Sequence, residues 1–185
     1  MSYTTTPAVE LASKLAEITP GDLSRAFFVS GGSEAVETAI KIAKQVQSMR
    51  GFPRRYKIIA RRGSYHGMTY GAMSLTASRN ENWFGPFMYG VSHVPHPNRY
   101  RSDFGLEGEA ADIAAAKYVE QEIINQGPET VAAVIGEPIS SAAEFNQLTE
   151  DARTFAFKHT VKATAIDEGI ISYPKEKVYG IYYSI

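Results

Sequence analysis

Apolar residues recur at helical spacing in three long stretches of the chain. Val9, Leu11, Leu15 and Ile18 predict a helix over 7–18, with these four on its buried side and Pro20-Gly21 closing it. Ala35, Val36, Ala39, Ile40, Ala43 and Val46 predict a second over 33–49. Ala111, Ile113, Ala114, Tyr118, Ile123 and Ile124 give one face to a third over 107–126, stopped by Gly127-Pro128. A short helix packed by Met68, Ala72, Met73 and Leu75 is expected within 67–76. Short apolar runs at 26–30, 56–60 and 131–135 read as strands, and strands alternating with helices predict an α/β fold with a predominantly parallel sheet. Residues 80–106 show no period and are crowded with aromatics, Pro and Gly, so an irregular segment is expected there, functional or pinned to a partner.

Composition narrows the classes. Hydrophobic residues make up 44% of the 185 and charged ones 21%, enough apolar material for a core in one domain, or one domain with part of another. The formal net charge of -1 argues against nucleic acid and anionic membranes as partners. The local cluster Arg50, Arg54, Arg55, Arg61 and Arg62 is read as a solvated loop, since aromatic interleaving and overall basicity are lacking. No cysteine is present, which excludes a disulfide scaffold, a thiolate metal site and a cysteine nucleophile. No apolar run approaches membrane-spanning length and the first residues carry no signal core, so the cytoplasm is the expected location.

Candidate chemistry begins at 26–37, where the run Ala26-Phe27-Phe28-Val29-Ser30 meets Gly31-Gly32-Ser33 and then a helix. The first turn of a helix offers amides without intrahelical partners and a partial positive charge, so this turn can hold a phosphate, with glycine keeping a Cβ out of the way. The Ser33 hydroxyl can cap the helix or donate to a phosphate oxygen. An ordinary tight turn between strand and helix remains the alternative. In a parallel sheet ligands collect beyond the carboxyl ends of the strands, which adds Tyr65 and His66 after the second apolar run and Glu137 after the third. Each has a plainer reading: a core tyrosine, a packed histidine, a carboxylate capping the turn at Pro138. His93 and His96 are read as loop histidines, because Pro95 breaks any helix that would align them and no third metal ligand stands nearby.

Three segments, in order and spacing, carry a resemblance: Phe28-Val29-Ser30-Gly31-Gly32-Ser33-Glu34-Ala35-Val36-Glu37, then Ser64-Tyr65-His66-Gly67-Met68-Thr69, then Gly136-Glu137-Pro138-Ile139. Together they resemble the large domain of the class III aminotransferases, pyridoxal-phosphate enzymes of fold type I that include the omega-amino acid transaminases. The resemblance covers residues 7–140. It implies pyridoxal 5'-phosphate as cofactor, with Gly31, Gly32 and Ser33 as the phosphate cup, Tyr65 against the pyridine ring and Glu137 as the active-site glutamate. His66 is carried as a further cofactor contact. The family reaction moves an amino group from an amine or amino acid to a keto acid, and family active sites are built at a dimer interface. A homo-oligomer, or pairing with a homologue, is therefore expected.

The family also joins its cofactor covalently to a lysine and sets an aspartate against the pyridine nitrogen, and neither has an unambiguous counterpart here. Past Glu137 the family's Gly- and Pro-rich stretch is replaced by 140–149, Ser-Ser-Ala-Ala-Glu-Phe-Asn-Gln-Leu-Thr. Asp167 falls near the distance expected of the aspartate, but Lys162-Ala163-Thr164-Ala165-Ile166 is too polar for a covered parallel strand. A helix from Thr149 to Glu168, closed by Gly169 and followed by a strand at 170–173, fits the local pattern better and places Asp167 at a helix end. The expectation is a truncated and internally deleted chain. Residues 7–140 would form a partial cofactor-binding large domain, and 145–185 a remnant of the C-terminal small domain. Such a chain is expected to be inactive alone, or to serve as a noncatalytic subunit beside a full-length homologue.

Overall fold

A computed structural model describes residues 4–19, 23–76, 84–98 and 101–137, together with the backbone of 139–140 and 146–147. Three parallel strands form the central sheet in the order β2-β1-β3: β1 (Lys57–Arg61), β2 (Val91–Val94) and β3 (Val131–Val134). β1 lies in the middle, pairing Ile58 with Val91 and Arg61 with Val94 on one side, and Lys57 with Val131 and Ile59 with Val134 on the other. Parallel neighbours need long crossovers, and helices supply them. The helices are α1 (Thr6–Ile18), α2 (Gly32–Met49), α3 (Tyr70–Leu75) and α4 (Gly108–Gln126), with a 3-10 turn at Pro128–Thr130 leading into β3. Two short antiparallel strands, β4 (Ile139–Ser140) and β5 (Asn146–Gln147), follow. Among the described residues no helix is long and apolar enough to cross a membrane.

The alternation of β1 builds two half-cores. Ile58 and Ala60 face α2 and α3, packing with Val36, Ile40, Ala72 and Leu75. Ile59 points the other way, against Val94, Val119, Ile123 and Val131. Because both faces are covered, β1 needs an unbroken apolar run, and Ile58-Ile59-Ala60 is buried throughout.

Four expectations change. The 26–30 run joins no ladder among the described residues, and Phe27 is 71% exposed. β1 is flanked on both sides by β2 and β3, and the 26–30 run stays exposed without a neighbouring strand or covering layer among the described residues. The apolar side of α1 is not buried either: Val9, Leu11 and Ile18 are exposed, since periodicity defines a face without supplying a surface to cover it. The buried stripe of α4 is Ala111, Ala115, Val119 and Ile123, each one turn from the next, with Ile124 outward. Alanines all round this helix leave its orientation to the two bulky residues, Val119 and Ile123. Finally, 80–106 contains β2, whose Ser92 and His93 hide it from any apolar pattern while β1 supplies its hydrogen bonds. The expected helix at 149–168 and strand at 170–173 lie outside the described residues.

Candidate functional site

Helix α2 opens where the glycine pair ends. Gly31 is the N-cap, in extended conformation, and it has no side chain to satisfy the first-turn amides. Residues 31–33 thus open a helix, as the sequence predicts. Open space surrounds the position a Gly31 Cβ would take, with nothing within 4 Å. Glu34 turns its carboxylate back to accept the Ser30 amide at 2.8 Å, outside the mouth of the helix.

The loop leaving β1 folds directly onto this helix start. The Met68 amide donates to Ser33 Oγ at 3.1 Å, so the serine oxygen serves as an acceptor and its own proton stays available to donate. Gly67 presses against the same residue: it has φ +122, and a Cβ there would lie 2.9 Å from the Ser33 Cα. At the other end of the loop the Tyr65 amide donates to Glu137 Oε2 at 3.3 Å. Arg61, the last residue of β1, donates from Nη1 to the Glu137 carbonyl at 3.0 Å. Gly136 makes room for that guanidinium, since a Cβ would stand 2.8 Å from Arg61 Cζ. Burial works against the charge of Arg61, and the Glu137 carboxylate opposes that effect.

Five of the six predicted residues therefore meet at one edge of the sheet, beyond the carboxyl ends of β1 and β3. Gly31, Gly32 and Ser33 come from α2, Tyr65 from the loop after β1 and Glu137 from the end of β3. Tyr65 is 45% exposed, with its ring outside the core. His66 is on the inner side of the loop instead. It is buried, and its amide donates to Thr76 Oγ1 at 2.8 Å, next to Arg61 and His93. Successive residues of an extended loop face opposite ways, so an outward Tyr65 brings an inward His66. Among the described residues no cluster of metal-ligating side chains forms, and His93 and His96 belong to β2 and the loop after it. A wide-mouthed hollow of about 550 Å3 lies by the amino ends of β1 and β2, lined by Lys57, Phe87, Tyr89 and Gln126, and holds none of the predicted residues.

Burial, then the charge of Arg61 and the nearby His93, lowers the His66 pKa from near 6.5 to about 4. The unfolded chain binds this proton more readily, so the stability His66 confers is complete above pH 6.5 or so and is lost as pH falls toward about 4. His96, also lowered by burial first, acts in the same direction. Replacing His66 by Asn should partly flatten the acid limb, measured as denaturation midpoint against pH. A limb of unchanged shape would contradict the buried placement.

Sequence reading missed one anchor. Glu37, one turn beyond Ser33 on α2, accepts from the Thr69 hydroxyl at 2.7 Å, the Gly71 amide at 2.8 Å and the Ala72 amide at 3.2 Å. Desolvation alone would raise its pKa, but these donors and Lys41 outweigh that and hold the carboxyl below its usual value. The i, i+4 spacing of Ser33 and Glu37 was the available signal.

Parallel strands between helical layers, with the start of α2 tied to the loop that follows β1, define an α/β fold. The Aminotransferase class-III profile matches residues 1–165, and the chain belongs to that family. It is 44% identical over 141 residues to the Probable aminotransferase Rv3329 of Mycobacterium tuberculosis, covering 76% of this chain and 30% of the relative. It is 35% identical over 137 residues to the Omega-aminotransferase of Caulobacter vibrioides, covering 73% and 31%. Among solved structures it is similar to the omega transaminase from Pseudomonas jessenii in complex with PMP, with 34% identity, TM-score 0.81, and coverage of 87% of this chain and 36% of that one. The (S)-enantioselective omega-transaminase from Thermomicrobium roseum gives 38% identity and TM-score 0.78 over 88% and 36%. The fold is thus that of the fold type I transferases, and the family's cofactor is pyridoxal phosphate. The chain spans about a third of the length of these relatives.

Proposed function

We propose that this chain retains part of a pyridoxal-phosphate site of the class III type. The cofactor phosphate sits on Gly31, Gly32 and Ser33, the ring lies on Tyr65, Glu137 keeps the Tyr65 loop in place and His66 backs it from beneath. The Ser33 hydroxyl carries this reading: its oxygen accepts from the Met68 amide, which leaves its proton available to donate, and the space beside Gly31 is open. When bound, the cofactor supplies an electron-withdrawing ring for amino-group transfer from an amine or amino acid to a keto acid. Residues 7–140 are the partial large domain in this reading and 145–185 the small-domain remnant, in a cytoplasmic protein.

The chain by itself is expected to have no appreciable transaminase turnover. Of the five described lysines, Lys14 belongs to α1 and Lys117 to α4, Lys57 is at the amino end of β1 with Nζ on the Gln126 carbonyl, and Lys41 and Lys44 stand two turns or more along α2 from Ser33, about 12 Å or further. None belongs to the segments that follow the carboxyl ends of β1 and β3, where the ring would lie. Retention then rests on helix-terminus contacts of about 0.3–1 kcal/mol each and on stacking of about 0.5–1.5 kcal/mol, which together imply a Kd of about 1 mM or weaker. The test is to add pyridoxal phosphate to the purified chain, reduce with borohydride, map adducts by mass spectrometry and assay amino transfer to a keto acid. Weak binding without a unique adduct or turnover is expected. Stoichiometric trapping at one lysine with turnover would overturn the proposal.

The exposed Phe27, Phe28 and Val29 beside the site favour a second reading, a noncatalytic subunit pairing with itself or with a full-length homologue. Co-purification with a tagged class III aminotransferase separates it from the first.

A further inference from the structure

Two residues of α2, Ser33 and Glu37, lie one helical turn apart and hold the two ends of one short stretch of chain. Ser33 Oγ takes the Met68 amide. A single Glu37 oxygen, Oε1, takes the Thr69 hydroxyl and the amides of Gly71 and Ala72. Two glycines, also four residues apart, make the approach possible. Gly67 abuts Ser33, and a Cβ on Gly71 would come to 2.5 Å from Glu37 Oε2. Thr76 closes the inner side, receiving the His66 amide and donating to the Gly67 or Ala72 carbonyl. The carboxylate thus caps α3 and, through Thr69, fixes the strand-to-helix loop that carries Tyr65.

We propose that Glu37 is a positioning residue for the cofactor site: its ionised carboxylate sets the 65–69 loop on the first turn of α2, aligning Tyr65 and the Ser33 hydroxyl for one ligand. The proposal rests on the reading of that site given above. Ser33 would orient its hydroxyl differently without the Met68 amide on its oxygen, and that amide is held in register by the Glu37 contacts immediately following it. A carboxylate suits the task because it accepts only, and three donors converge on one of its oxygens.

Gly71→Ala separates positioning from simple support. Alanine raises intrinsic helix propensity in α3, yet its Cβ displaces the Glu37 carboxylate. If Glu37 served stability alone, this variant would melt lower through the lost contacts but would leave pyridoxal phosphate binding as it was. The proposal expects Gly71→Ala and Glu37→Ala each to speed hydrogen exchange at the Met68 and Ala72 amides of the ligand-free full chain about tenfold, a loss on the scale of one hydrogen bond to a charged group. Pyridoxal phosphate, followed by equilibrium dialysis, should weaken by a similar factor, inorganic phosphate by less, and Glu37→Gln should recover part of the loss. Unchanged exchange at Met68 in both variants would overturn the proposal, as would faster exchange with unchanged pyridoxal phosphate affinity. If the unaltered chain binds no pyridoxal phosphate, the cofactor reading fails by itself, and the hold of Glu37 on the loop is decided by exchange alone.

Discussion

Gly67→Ala is expected to cost about 3 kcal/mol of stability and to remove whatever affinity the chain has for pyridoxal phosphate. Two penalties coincide at this position. The backbone is at φ +122, where a side chain costs on the order of 1–3 kcal/mol. The new methyl would also lie 2.9 Å from both Cα and Cβ of Ser33, and overpacking of this kind costs roughly 1–3 kcal/mol. A helix backbone cannot yield as a flexible side-chain end can, so the loop must lift away from α2. Lifting it parts the Met68 amide from Ser33 Oγ and moves Tyr65 off the helix start. Urea denaturation with parallel ligand dialysis checks both effects. A midpoint like that of the unaltered chain would mean that the loop does not rest on α2.

Ile59→Ala should destabilise the chain by about 3–4 kcal/mol without touching the candidate site. Ile59 is fully buried at the centre of the middle strand, against Val94, Val119, Ile123 and Val131. Its side chain joins β1, β2 and β3 to α4, and truncations from Ile to Ala in such cores cost roughly 2–5 kcal/mol, the upper part where neighbours cannot close the cavity. Collapse is hindered here because the strands are held in register by their ladder and Ile123 belongs to a long helix. The loss should appear as a lowered denaturation midpoint with little change in the slope. A loss below ~1 kcal/mol would show that α4 does not cover this face of the sheet.

Much of the site was legible because its parts are local. Gly31-Gly32-Ser33 opens a helix through its own backbone, and the positions of Tyr65 and Glu137 follow from the ends of two apolar runs. His66 was not legible as an inward residue, since adjacent Tyr and His do not say which of them faces the core. Glu37 was overlooked because an exposed-looking acid in the second turn of a helix resembles any solvated glutamate until its donors are known.

The sequence alone determined what depends on neighbours in the chain: the bounds of α1, α2 and α4, the runs that became β1 and β3, the helix opening at Gly31, and the family. Each rests on side-chain period, capping or backbone freedom within a few residues. Tertiary structure decided everything that needs a second surface. It left the apolar side of α1 and the 26–30 run exposed, turned α4 by its bulky Val119 and Ile123, and made a strand of Val91-Ser92-His93-Val94 by pairing it with β1. It also set Glu37 against Thr69, Gly71 and Ala72, 32 to 35 residues away along the chain. Hydrogen bonds and burial between distant segments have energies as large as local preferences, and no pattern within either segment records which partner it will meet.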